Sequence, residues 1–210
     1  MNIVGVVSVL VVIVFSMMLH ELAHGGVAYL LGDTTAKEDG RLTLNPINHL
    51  DPFMSVILPL LTFLMGGVVF GGAKPVPVNT RNLKGGVWGM AAVALAGPLT
   101  NFVLAFVGFL IWEGAGAVDT STFLGATVAN LVFVNLGFGV FNLIPIPPLD
   151  GSRILYALMP DAVRAVMDKM EKVGIFIVYI LIMVGGNVFS SVMTGAMNGI
   201  LEAFYWIIGK

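Results

Sequence analysis

Six apolar runs occupy most of the chain, at 3–31, 53–70, 87–112, 123–144, 173–184 and 188–208. A helix that crosses a bilayer needs about 20 mostly apolar residues, and most of these runs reach that length. The fifth is short, although residues 171–186 could extend it. Composition agrees with a membrane setting. The AVILMFWYC set makes up 58% of the 210 residues and charged residues only 10%, against roughly 25% in a typical globular chain. Ten Lys plus Arg and twelve Asp plus Glu cannot cover a water-soluble domain of this size. The chain therefore reads as an integral membrane protein in contact with lipid. Nucleic acid is excluded as a partner, because no basic face exists to neutralise phosphates. With no Cys, disulfides and thiolate metal sites are excluded too. The first run is not a cleavable signal, since it lacks a basic start and runs on into a charged motif.

Three polar connections carry bases. Residues 32–52 include Gly40-Arg41-Leu42-Thr43-Leu44-Asn45-Pro46, whose short alternation after a glycine reads as a β-strand over 41–45. Residues 71–86 hold Lys74, Arg81, Lys84 and the rigid Lys74-Pro75-Val76-Pro77-Val78, and residues 150–172 hold Arg153, Arg164, Lys169 and Lys172. The 112–122 connection has Glu113 and Asp119 and no base.

Inside the first run stands His20-Glu21-Leu22-Ala23-His24, where a charge costs about 2.5–3.5 kcal/mol even on the lenient insertion scale. Positions i and i+4 share one helix face, so both imidazoles can reach one metal ion. This is the two-histidine, one-glutamate pattern of zinc hydrolases. Zinc would make an attacking water more acidic and polarise a carbonyl, and Glu21 would serve as the general base. The same three residues could instead form a polar patch that joins helices.

Catalytic zinc usually takes three protein ligands and leaves one position open. His49, Asp33, Glu38, Asp39 and Asp51 lie in a polar loop, where solvated charge is the ordinary expectation. Asp150 is the better candidate. It ends a stretch with Pro145, Pro147 and Pro148 that must interrupt the helix, and apolar sequence resumes at 154–159, so it need not lie at the membrane surface. The histidine pair lies about ten residues before Gly32, roughly 15 Å below the boundary at 1.5 Å per residue. Asp150 precedes the break at Pro160-Asp161 by a similar count, so the two can meet if the first and fourth runs are parallel. A loop aspartate or a partner for Arg153 is the other reading of Asp150.

Three stretches together resemble the site-2 proteases, zinc metalloproteases that cut substrate helices within the membrane. They are His20-Glu21-Leu22-Ala23-His24, Ala96-Gly97-Pro98-Leu99-Thr100-Asn101, and Asn142-Leu143-Ile144-Pro145 continuing to Leu149-Asp150-Gly151. The resemblance implies that His20, His24 and Asp150 bind one zinc ion and that Glu21 is the base. It further implies that Asn142 holds substrate backbone, while Asn101 reads as a helix–helix hydrogen bond. The expected fold is an all-α polytopic membrane protein with about five transmembrane helices, a re-entrant or additional segment at 53–70, and a small membrane-edge β element. Residues 1–160 form the protease core. Residues 161–210 add an amphipathic connection and C-terminal transmembrane helices. If 53–70 is re-entrant, all ten basic residues, Lys210 included, face one side, which the bias of positive loops makes cytoplasmic.

A helix must be unwound before its peptide bonds can be cut. Residues 41–45, with Leu42 and Leu44, are the candidate edge strand that would hold substrate extended, and Val76-Pro77-Val78 suits a rim. The implied partner is a single-span membrane protein already trimmed by another protease. No accessory domain is legible in the 210 residues, so selection would rest on the membrane core or a separate partner. Two other classes remain open: a metal transporter with an intramembrane His/Glu/Asp site, and a non-catalytic scaffold. The transporter would need a polar path to the far side, for which the runs offer mainly Thr62, Asn130, Asn135 and Asn187.

Overall fold

Lipid cannot hydrogen-bond a backbone, so a long apolar run satisfies its amides within itself as helix. A computed structural model describes residues 3–49, 51, 74–116 and 118–210. Its elements are α1 (Ile3–Leu30), α2 (Thr35–Glu38), a 3-10 turn (Pro46–His49), α3 (Gly86–Gly114), α4 (Phe123–Asn142), α5 (Asp150–Leu158), α6 (Asp161–Glu171) and α7 (Gly174–Ile207). Among the described residues, α1, α3, α4 and α7 are long and apolar enough to cross a membrane.

Buried polar pairs set the register of the first three spans. His24 and His20 of α1 meet Val93 and Asn101 of α3, so residue numbers rise on one helix as they fall on the other and the two are antiparallel. Ser8 and Ser16 of α1 meet Asn130 and Asn135 of α4, so these two are parallel, as a shared level for His20 and Asp150 requires. Farther from the histidines an apolar cluster packs, with Ala105, Phe109, Val132, Leu136 and Phe204 buried together. There Phe204 of α7 packs edge-on against Phe106 at 4.9 Å.

Three expectations are corrected. The runs at 173–184 and 188–208 form one helical stretch, Gly174–Ile207, of two segments that meet at a kink at Gly186. Gly186, at φ 39°, takes up a kink that few side chains allow. The described candidate spans therefore number four, and α7 runs from Gly174 beside Pro147 to Lys210 on Glu113, from one end of the bundle to the other. Lys210 consequently lies at the opposite end from the other bases. Its Nζ donates to Glu113 Oε2 at 2.5 Å, beside the hydroxyl of Tyr205, which donates to Oε1 at 3.2 Å. That leaves nine of the ten basic residues, all but Lys210, for the other end.

The third correction concerns 41–45, which forms no strand; none occurs among the described residues. Several of its polar groups are engaged locally instead. Arg41 N donates to Ala36 O, Asn45 N to Thr43 Oγ1, and the His49 ring meets Thr43 O. The re-entrant expectation for 53–70 falls outside the described residues. Its flanks lie together, since Lys74 N donates to His49 O at 2.8 Å.

Asp33, fully buried, ties the end of α1 to the segment that leads into α3. It accepts from Thr35 N and Oγ1, Asn79 N and Asn82 Nδ2. Burial pushes its pKa up, but these donors outweigh burial and hold it below the usual carboxyl value. A depressed folded pKa stabilises fully above the ordinary value, and that contribution is lost as pH falls through the lowered one. Asp33→Ala should cost about 2 kcal/mol at neutral pH. Thermal melts in detergent should show the gap to wild type closing as pH drops below the ordinary carboxyl range. For topology, single Cys residues at Lys172 and Thr80 should react with an impermeant thiol reagent from one face of the membrane and one at Lys210 from the other. Labelling of all three from one face would overturn a single crossing by α7.

Candidate metal centre

The registers of α1 against α3 and α4 bring the polar motif to one level with the start of α5. On α1, His20 and His24 are each 8% exposed. Each has one ring nitrogen engaged by the scaffold. His20 Nδ1 lies 2.6 Å from Asn101 Oδ1, and His24 Nδ1 lies 2.7 Å from the Val93 carbonyl. A carbonyl oxygen only accepts, so each Nδ1 carries the proton and each Nε2 presents a lone pair.

Those two Nε2 atoms face one another at 2.9 Å. Asp150 Oδ2 completes a triangle at 3.2 Å from His20 Nε2 and 3.4 Å from His24 Nε2. It is buried with no hydrogen-bond partner. Three lone pairs converging out of water repel unless a cation lies among them. The three separations bracket the edge of about 3.3 Å expected of a tetrahedral site with Zn–N near 2.0–2.1 Å. The donor set, two imidazoles and a carboxylate, suits zinc with one position left open.

Asp150 reaches this point because α4 ends at Asn142 and the proline-rich turn that follows returns the chain to α5. Leu149 is extended and Asp150 opens the helix. Gly151 packs beneath the carbonyls of Leu143 and Ile144, where a Cβ would collide with backbone. Arg153 pairs with Glu171 instead, so Asp150 is not its partner.

Glu21, partly buried, accepts from Val76 N at 2.8 Å. The 74–78 segment thus lies against the motif helix, as a rim would. Leu42 packs on Gly25, the residue after His24, where a Cβ would sit 2.7 Å from Leu42 Cδ2. Leu44 is 64% exposed and lines an apolar cavity of about 560 Å³ with Pro46 and with Leu10, Val14, Phe15 and Met18 of α1. Asn142 closes α4 with its Nδ2 on Phe138 O at 3.1 Å. No contact joins it to the histidines.

Two features escaped the sequence reading. A Cβ on Gly97 would lie 2.5 Å from His20 Cε1, 2.5 Å from His24 Nε2 and 2.6 Å from His20 Nε2. Any side chain there would enter the space between the histidines. Asn101 does make a hydrogen bond between helices, as expected, but its acceptor is turned to a candidate ligand. The signal was present, because an amide at membrane depth must find a partner; which partner it finds depends on helix register.

His20, His24 and Asp150 form a group that could hold a metal ion in a chain with four helices apolar enough to cross a membrane, and comparison with known proteins gives the family. The profile of peptidase family M50 matches residues 115–185. Three relatives carry the name "Putative zinc metalloprotease". YwhC of Bacillus subtilis is 41% identical over 203 residues, 92% of this chain and 89% of its own. Rip2 of Mycolicibacterium smegmatis is 34% identical over 198 residues, 91% of this chain and 69% of its own. Rip3 of Mycobacterium tuberculosis is 31% identical over 205 residues, 94% of this chain but 43% of its own. No solved structure gives a significant match. The chain belongs to peptidase family M50, the site-2 proteases, and is a zinc metalloprotease.

Gly97→Ala should lower zinc content well below one ion per chain, measured by elemental analysis of purified protein, with helical circular dichroism retained. Full zinc occupancy in this variant would mean that Gly97 does not guard the site.

Proposed function

We propose that this chain is an intramembrane endopeptidase that hydrolyses a peptide bond in or near the transmembrane helix of a single-spanning membrane protein. His20, His24 and Asp150 are its zinc ligands and Glu21 its general base. The observation that carries this reading is the triangle of acceptors, with sides of 2.9, 3.2 and 3.4 Å, held between apolar helices. Zinc bound there supplies Lewis acidity, polarising the scissile carbonyl and making the attacking water more acidic. Glu21 takes the proton from that water at a carboxylate oxygen and delivers it to the leaving amine nitrogen. Because Val76 N–H engages Oε2, the other oxygen is the one left for proton transfer.

Substrate is held by Leu42 and Leu44, acting as apolar contacts rather than as an edge strand, and by Asn142 on the substrate backbone. The apolar lining of the open groove between Leu44 and α1 supports an apolar occupant. Nine of the ten basic residues belong to the connections at the α1 C-terminal end, which argues for a cell membrane with this end cytoplasmic. Cleavage there suits the second step of regulated proteolysis, after another protease has trimmed the substrate. Against the transporter reading, Asn130 and Asn135 are engaged by Ser8 and Ser16 as bonds between helices.

Glu21→Gln in liposomes with a model single-span substrate should keep one zinc per chain and cut about 10²–10⁴-fold more slowly. Equal cleavage by both proteins would remove Glu21 as base, and zinc flux without cleavage would favour transport.

A further inference from the structure

His24 is held by a backbone carbonyl, whose polarity is fixed. His20 is held by a side-chain amide, which can present either end. Turned round, the amide of Asn101 would offer N–H groups to Nδ1, and the proton would move to Nε2. An Nε2 that carries a proton has no lone pair for a metal. Something must therefore fix the direction of this amide, and the buried chain beyond it does so.

Asn101, Asn135 and Ser16 are each 0% exposed. Asn101 Nδ2 donates to Asn135 Oδ1 at 2.8 Å. Asn135 Nδ2 donates both to Ser16 Oγ at 2.9 Å and to the Leu131 carbonyl, one turn back on α4, at 2.9 Å. Amide orientation is an assignment to be argued from partners, and here one partner decides it. Ser16 can donate or accept, so it selects nothing. The Leu131 carbonyl only accepts, so the nitrogen of Asn135 must face it. Oδ1 of Asn135 is then the atom left for Asn101, and it only accepts. Asn101 must answer with its nitrogen and turn its oxygen toward His20. That oxygen lies 2.6 Å from His20 Nδ1, which must carry the proton, and Nε2 is left bare toward His24 and Asp150.

We propose that Asn135 is a positioning residue of the metal centre: anchored on the Leu131 carbonyl, it fixes the direction of the Asn101 amide and so holds His20 in its metal-binding tautomer. This rests on the reading of His20, His24 and Asp150 as zinc ligands. Asn135 touches neither substrate nor metal and acts only through Asn101.

The test is zinc affinity of the purified full chain in detergent, measured by competition with a chromophoric chelator. Asn135→Leu frees the Asn101 amide to turn and should weaken binding about 10–100-fold, the range for lost outer-shell partners. Asn101→Asp supplies a carboxylate, both of whose oxygens accept, so its partner to His20 no longer depends on residue 135. In that background Asn135→Leu should change affinity by less than about twofold. An equal loss in both backgrounds would reduce Asn135 to packing and overturn the proposal. So would an Asn135→Leu affinity equal to wild type. A wild-type chain that binds no zinc would overturn the ligand reading and the relay with it. A measurement on the unsubstituted chain stands apart from any folding defect. Nitrogen-15 spectra of the metal-free protein above pH 8 should show His20, one of three histidines, protonated at Nδ1; protonation at Nε2 would overturn the relay.

Discussion

The structure depends on one constraint: polar groups that sit among apolar helices must find each other. Two histidines, a glutamate and an aspartate at membrane depth cannot be left to solvent, and unpaired groups in hydrocarbon are costly. Their partners fix how the helices lie. His24 on Val93 and His20 on Asn101 set α1 against α3. Ser8 on Asn130 and Ser16 on Asn135 set α1 against α4. Once those registers hold, the turn after α4 brings Asp150 to the level of the histidines, and the site exists as a consequence of the bundle.

Much of this was legible in the residues. The apolar runs mark the helices, and the i, i+4 histidines mark a shared face. The proline-broken segment before Asp150 also marks a carboxylate that could sit below the surface. What was not legible depends on three-dimensional registration. Two apolar runs separated by Gly185-Gly186-Asn187 look like two crossings, because hydropathy does not tell a kink from a turn; the contacts of Gly174 with Pro147 and of Lys210 with Glu113 do. That difference moved Lys210 to the opposite end, where Glu113 accepts from it and from the Tyr205 hydroxyl. The alternation at 41–45 suggested a strand, but a strand needs a neighbour. Thr43, Asn45 and His49 satisfy that stretch locally.

Gly97 illustrates a further limit. In the sequence it is one of 26 glycines, set apart only as part of the Ala96–Asn101 stretch that carries the resemblance. In the structure a Cβ there would fall within 2.6 Å of both imidazoles. The information is an absence of atoms, and no propensity or periodicity reports on an absence. The neighbouring Asn101 is the converse case, since an amide in an apolar run announces a partner without naming it.

Helix association in lipid gains little from the hydrophobic effect, because the surrounding tails are as apolar as the helix faces; close packing at small residues and interhelical hydrogen bonds take its place. A membrane enzyme therefore has few interactions with which both to hold its helices and to orient its ligands. Here one set does both. The bond between Asn135 and Asn101 joins α4 to α3, the bond between Asn135 and Ser16 joins α4 to α1, and the bond from His20 to Asn101 joins α1 to α3 while fixing a ring. In a soluble metalloenzyme the apolar core could hold the scaffold while a separate outer shell tuned the ligands. In this bundle a substitution in the polar seam acts on both at once, so stability and metal affinity must be measured separately before a role is assigned to any residue in it.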